Sequence, residues 1–188
     1  MTGRDVFRLF GVVFTFLSFI IKILPRFFRV FLLNLFSSFP TNIGVLIRFL
    51  LFKSLANKCG DNLYIGRWVI FKNLDRITVG SNVSIHDYCY IDAKGGVEIG
   101  NDVAIAHNCS FISFEHSFNK VNIPIKYQPL KFKKIYIADN VWIGCGVRVL
   151  AGTIIGEKTV IAANSVTKGE LEGERIYAGI PARVIKDI

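Results

Sequence analysis

The chain has 188 residues, 52% of them hydrophobic, with 17 Phe and a net charge of +9. That content excludes a disordered chain, and the length suits one large domain or one domain with an extension. The charge is uneven: residues 1–58 carry eight Lys/Arg against a single acid, Asp5, while the rest is nearly balanced, and no nucleic-acid-binding motif accompanies it.

Residues 9–21, LFGVVFTFLSFII, form an uncharged run between Arg8 and Lys22. The run is shorter than the ~20 residues a spanning helix needs. The IIKILP that follows offers no small-residue signal cleavage site. A helix ending at Pro25 is predicted. Phe28, Phe31, Leu32, Leu35, Phe36 and Phe39 then follow helical spacing. Pro40 breaks the chain, and Thr41 is the expected cap of a third helix with the stripe Ile43, Leu46, Ile47, Leu50 and Leu51. Two readings of residues 1–58 are open. The helices pack on each other and on the following domain, or they lie in a membrane interface. In the second reading Arg26, Arg29, Arg48 and Lys53 face anionic headgroups.

Beyond Asp61 the period changes. Ile65 and Phe71, then Val79, Ile85 and Ile91, then Ile99, Ile105 and Phe111 stand six apart. After a gap, Ile137, Ile143, Val149, Ile155 and Ile161 resume the beat. Four residues after each sits a mostly small or β-branched residue, such as Val69, Cys89, Cys109, Val147 or Thr159, and Gly or Ala often follows directly. Neither a helix nor an alternating strand repeats every six residues. A flat-sided solenoid does, with three hexapeptides to a triangular coil. The prediction is a mainly β fold: a left-handed parallel β-helix over 59–188 behind an α-helical extension, 1–58. The rhythm stops in FISFEHSFNK (111–120), so 113–134 is expected to be an extruded loop. The C-terminal IYAGIPARVIKDI is expected to run back across a face. Flat faces favour closed oligomers, and a threefold one suits a triangular prism.

Cys59, Cys89, Cys109 and Cys145 show no metal-ligand spacing and read as reduced, small hydrophobic residues of a cytosolic protein.

The segment 137–186 resembles the C-terminal half of the hexapeptide-repeat O-acetyltransferases, through NVWIG (140–144), AANSVTK (162–168) and AGIPARVI (178–185). These enzymes include the galactoside and maltose acetyltransferases and those that modify bacterial surface polysaccharides. The resemblance covers roughly 62–186, and the Phe-rich lead-in is closer to the polysaccharide-modifying branch. It implies a homotrimer in which acetyl-CoA, a substrate and not a resident cofactor, meets a carbohydrate acceptor between subunits. It places the catalytic histidine at His116. Trp142, Gly144, Cys145 and Ala163 fall along the acetyl-CoA groove, and Thr167, Lys168 and Arg183 near the distal part of CoA. His86 and Asp92 are the implied acceptor contacts; His86 stands where sugar acetyltransferases tend to have Asn. SVTK is one residue shorter than the common SVVTK, and GIPA replaces GNPA. No metal and no nucleic acid are implied. A cytoplasmic location follows, with residues 1–58 as a peripheral contact to the inner face of the cytoplasmic membrane.

Transfer of acetyl from a thioester to a hydroxyl needs a base, an oxyanion donor and a departing thiolate. A neutral imidazole suits the first task, so His116 is the candidate base. A backbone N–H of the Gly144–Cys145 turn is the candidate oxyanion donor. Glu115 or a loop carbonyl is the candidate for fixing the imidazole tautomer. His107 reads as a polar turn residue, and direct transfer leaves Cys145 no covalent role. Two rivals stand beside this reading: a zinc enzyme of the γ-carbonic anhydrase type using His86, His107 and His116, and a non-catalytic β-helix docked on membranes.

Overall fold

The computed structural model describes residues 3–188; the side chains of Arg4, Val6 and Arg8 lie outside that description, so Arg8 as a flank of the first apolar run does too. Three helices lead: α1 (Gly3–Ile21), α2 (Arg26–Leu35) with a 3-10 turn at Phe36–Ser38, and α3 (Thr41–Leu55). Strands follow to the C-terminus, and they build the expected left-handed parallel β-helix of about six coils.

Each coil visits three faces in turn. Face one stacks Lys58–Cys59, Ile77–Val79, Val97–Ile99, Ile135–Ile137, Ile154–Ile155 and Glu170–Leu171. Face two stacks Tyr64–Ile65, Ser84–Ile85, Ala104–Ile105, Trp142–Ile143, Val160–Ile161 and Arg175–Gly179. Face three stacks Ile70–Lys72, Tyr90–Asp92, Ser110–Ile112, Arg148–Val149 and Val166–Thr167. All these pairings are parallel. The six-residue beat is the interior: Ile85, Ile91, Ile105, Phe111, Ile137, Ile143, Val149, Ile155 and Ile161 are fully buried. Each contributes ~1.5–3 kcal/mol of burial.

The corners show where the turn chemistry resides. The left-handed residue is the third after each interior aliphatic: Asn82, Asp102 and Asn140 at the first corner, and Trp68, Tyr88, Asn108, Gly146 and Asn164 at the second. The glycine directly after the aliphatic serves close approach instead. A Cβ on Gly100 would sit 2.2 Å from the Asp139 carboxylate of the next coil. That carboxylate accepts the Asn101 N–H at 2.7 Å, and this bond, with the Asn101 side-chain amide, holds the Asp139 pKa below the usual carboxylate range.

The helices close the N-terminal end of the prism. Phe49, Phe52 and Leu55 of α3 lie buried under the first coil, with the Phe52 ring 4.8 Å from Phe71. Thr41 does not cap α3: it is the first helical residue, and no side chain caps that terminus. At the second corner, Tyr88, Asn108, Gly146 and Asn164 each donate their N–H to the coil below. Trp68 has no coil below, and its N–H donates to the Ser37 carbonyl at 3.0 Å, so the 3-10 turn supplies the missing rung. Arg48 does the same for the strand, as its Nε donates to the Ile65 carbonyl at 3.0 Å. Its Nη1 donates to the carbonyls of Phe36 and Phe39, and the residue is only 3% exposed.

That burial corrects the headgroup role expected of Arg48, and the other three bases named with it have partners within the chain. Arg48 is inside, Arg29 donates to the Ser54 carbonyl, Arg26 pairs with Asp75 at 2.5 Å, and Lys53 pairs with Asp61 at 2.6 Å. The cations tie the helices to each other and to the β-helix. The apolar stripe of the second helix is split: Leu32 and Phe36 pack on the core, while Phe28, Phe31, Leu35 and Phe39 remain exposed, as do Phe10, Val12, Phe16 and Phe19 of α1. No helix among the described residues is long and apolar enough to cross a membrane.

The C-terminus departs from expectation. Ala182–Asp187 does not cross a face; it turns back and pairs antiparallel with Arg175–Gly179, adding a last strand to face two.

Candidate active site

The beat breaks because the chain leaves the prism at the third corner. Phe114–His116 pairs antiparallel with Leu130–Phe132, and the chain rejoins face one at Ile135. The root is rigid. Ser113 is fully buried; its Oγ donates to the Asp92 carbonyl at 2.8 Å and accepts the Gly95 N–H at 2.8 Å. Gln128 folds the tip back, with its amide donating to the carbonyls of Lys120 and Ile123 and accepting the Lys120 N–H. His116 ends the outgoing strand with its side chain exposed.

Glu115 is placed for a different task from the orienting role expected of it. Its carboxylate pairs with Lys168 at 3.0 Å and Lys133 at 3.8 Å. Successive side chains on a strand leave opposite faces, so the carboxylate turns toward the β-helix and away from the imidazole. The bond from Lys168, with Lys133 and Lys131 nearby, holds the Glu115 pKa below the ordinary carboxylate range. The pair thus fastens the histidine-bearing hairpin to the fifth coil. Lys133 was not singled out in the sequence; its only signal there is the basic run KFKK (131–134).

The implied donor residues lie mostly at the second corner. Trp142 is exposed on face two, and Cys145 and Ala163 occupy equivalent turn positions in successive coils, with the Asn164 N–H donating to the Cys145 carbonyl at 2.8 Å. Of the two N–H groups in the Gly144–Cys145 turn, that of Gly144 is committed to the Ile161 carbonyl at 2.8 Å. Gly144 itself is needed for spacing, since a Cβ would lie 2.7 Å from the Ala163 nitrogen. Arg183 is exposed on the terminal strand, paired with Ala178.

One implied contact, that of the Thr167 side chain, is corrected, and a second, Asp92, is largely enclosed. Thr167 lies six residues after Ile161, so the beat turns its side chain inward. It is 0% exposed, and its hydroxyl has no hydrogen-bond partner. Asp92 is 9% exposed, with Oδ1 accepting from the Asn73 amide at 2.7 Å and from the Lys94 N–H. It braces the third corner. His86 is exposed at the second corner, its ring 5.3 Å from that of Tyr64.

The implied site residues of one chain therefore fall into two separate groups. His116, Glu115 and Lys168 gather at the third corner; Trp142, Cys145, Ala163 and His86 line the second. The width of face three separates them, roughly 15 Å at ~3.3 Å per residue. Among the described residues no group of three His, Cys, Asp or Glu side chains converges as a metal site.

Comparison with known proteins agrees with this architecture. Residues 134–169 match the bacterial transferase hexapeptide (six repeats) family. WbbJ of Escherichia coli K12, provisionally named a lipopolysaccharide biosynthesis O-acetyl transferase, is 38% identical over 130 residues, 64% of this chain and 62% of WbbJ. The dTDP-4-amino-4,6-dideoxy-D-glucose acyltransferase of Escherichia coli is 30% identical over 154 residues, covering 68% of this chain and 80% of that enzyme. The match to a probable acetyltransferase of Mycobacterium tuberculosis spans only 44% of that relative. Among solved structures, a galactoside acetyltransferase in complex with coenzyme A superposes with a TM-score of 0.76 at 29% identity, over 86% of this chain and 80% of that one. With the coils, the extruded hairpin and these relatives in agreement, the chain belongs to the hexapeptide-repeat acyltransferase family.

Proposed function

We propose that the chain is an acetyl-CoA-dependent O-acetyltransferase whose acceptor is a sugar hydroxyl of a surface polysaccharide or lipopolysaccharide precursor. The observation that carries this reading is the separation of the two half-sites. A hairpin bearing an exposed histidine projects from one corner while the groove residues line another, so a second copy completes the site. A homotrimer provides three such junctions, each pairing His116 of one copy with the Trp142–Cys145–Ala163 edge of the next.

In that junction the His116 imidazole takes the proton of the acceptor hydroxyl as its oxygen attacks the thioester carbonyl carbon. The Cys145 N–H stabilises the tetrahedral oxyanion. Collapse breaks the C–S bond, and the departing thiolate takes the proton from the imidazolium. General-base assistance of this kind supplies ~10²–10⁴ in rate, and an oriented backbone donor ~10²–10³. The Lys168 ammonium and the Arg183 guanidinium suit the phosphates of the donor.

The open apolar side of α1 and α2, with Phe16, Phe19, Phe27 and Phe31 exposed, supports a peripheral contact with the inner face of the cytoplasmic membrane. There the acceptor would be lipid-linked. Replacement of His116 by Ala should lower transfer from labelled acetyl-CoA by at least ~10²-fold while CoA binding and oligomeric state persist. Near-normal turnover would end the assignment. A screen of free and lipid-linked sugars, wild type beside His116→Ala, identifies the acceptor class.

A further inference from the structure

The second corner carries an anomaly that the donor groove does not absorb. Its column of left-handed residues reads Trp68, Tyr88, Asn108, Gly146 and Asn164, with φ of 60°, 63°, 60°, 71° and 57°. Asn and Gly adopt that conformation readily; a bulky aromatic side chain there is an outlier held at a cost. Such strain collects at functional positions. The two aromatics are not there to fill the core, since Trp68 is 48% and Tyr88 60% exposed.

They line a cleft of about 440 Å³ between α2 and the first coils, shared with Asn34, Ser37, Val69 and Ile70. That volume is in the ~300–1,000 Å³ range of small-molecule sites. Its mouth is built firmly, because the Trp68 N–H donates to the Ser37 carbonyl. No charged side chain is in the lining, which disfavours a phosphate or a carboxylate. Aromatic and aliphatic surfaces meet an amide and a hydroxyl. A pyranose ring matches that mixture, with C–H groups on its faces and hydroxyls around its rim.

We propose that this cleft is a carbohydrate subsite that takes one neutral pyranose ring of the acceptor, against Trp68 and Tyr88. The inference rests on the reading of the acceptor as a glycan and extends it: the enzyme grips a sugar beyond the one it acetylates. The location fits. Tyr88 and Cys145 belong to the same prism edge, two coils apart, or about 10 Å at ~4.8 Å per coil, and His86 shares the turn of Tyr88.

The test uses Trp68→Asn and Tyr88→Asn in the full chain. Asn is the residue that holds this column at Asn108 and Asn164, so the turns keep their conformation. Saturation-transfer NMR with short glucose, galactose and N-acetylglucosamine oligosaccharides reads glycan binding directly. The wild type should bind at least one of the series, and each variant should bind it about tenfold more weakly or worse. Thermal stability should be equal or higher, and CoA affinity unchanged. The proposal falls if the wild type binds none of these glycans. It also falls if both variants bind as well as the wild type, including the case in which they lose only vesicle binding or self-association. Glycan binding at the cleft without transfer of acetyl to any sugar would sink the catalytic reading and leave the subsite standing. Transfer with an unchanged acceptor KM in both variants would do the reverse.

Discussion

Replacement of Arg48 by Met is the sharpest test of how the helices are joined to the β-helix. Methionine keeps most of the aliphatic length and removes the guanidinium. Three carbonyls lose a donor, those of Ile65, Phe36 and Phe39. Phe36 keeps the Phe39 N–H at 3.2 Å, so two acceptors are left without a replacement. Each orphaned buried acceptor costs ~1–3 kcal/mol. Release of the guanidinium from its own desolvation offsets part of that. The net expectation is a loss of about 2–4 kcal/mol, or a fall in Tm of roughly 5–15 °C for a chain of this size. Urea unfolding at matched protein concentration measures it, and hydrogen exchange should localise the weakening to the first coil. A Met variant within ~0.5 kcal/mol of wild type, or more stable, would refute the reasoning, because buried cations are sometimes replaced by apolar side chains without loss.

Glu115→Gln removes the anchor between the hairpin and Lys168, so kcat should fall about two- to fivefold, the scale of partly exposed ion pairs. Donor KM should hold or improve, since Lys168 is freed; a rise in donor KM with kcat intact would contradict the assignment. Thr167→Val removes a buried hydroxyl without a partner, so stability should hold or rise by about 1 kcal/mol with donor KM unchanged; a selective rise in that KM would return Thr167 to the donor site. Asp139 has a depressed folded pKa. Its contribution is therefore present above the unfolded value of ~3.9 and is lost as pH falls through the lower folded value; Asp139→Asn should flatten the acid limb of a stability–pH curve, and an unchanged limb would count against this role. Phe16→Ser with Phe19→Ser should release the protein from liposomes of bacterial lipid in a flotation assay, with little change on raising salt if the apolar faces carry the contact, since Arg26, Arg29, Arg48 and Lys53 already have partners within the chain. Strong salt sensitivity would reinstate the electrostatic mode.

What was legible in the sequence is what the chain repeats. Ile85, Ile105 and Ile143 meet the same environment one coil apart, so their spacing alone reveals the prism, and the silence after Phe111 reveals the hairpin. The fate of charged residues was not legible. Arg48 resembles any cation on an amphipathic helix until the first coil presents a strand carbonyl that nothing else can satisfy. Glu115 stands next to His116 in sequence, and strand geometry turns it away. Thr167 was assigned outward by motif, while the beat of Ile155 and Ile161 carried forward one more step assigns it inward. Trp68 and Tyr88 escaped notice because their oddity is a backbone angle at a position where the other coils hold Asn or Gly.

The plug at one end of the prism and the reversed strand at the other have a consequence for assembly. A stack of parallel rungs is a template that can grow by adding rungs from another molecule. Here Ser37 and Arg48 occupy first-rung positions at one end, and on face two Ala182–Asp187 runs the wrong way for a further parallel strand. Both devices disfavour end-to-end stacking of copies. Loss of the helical plug would bare the first rung and give the stack an open parallel edge to grow from.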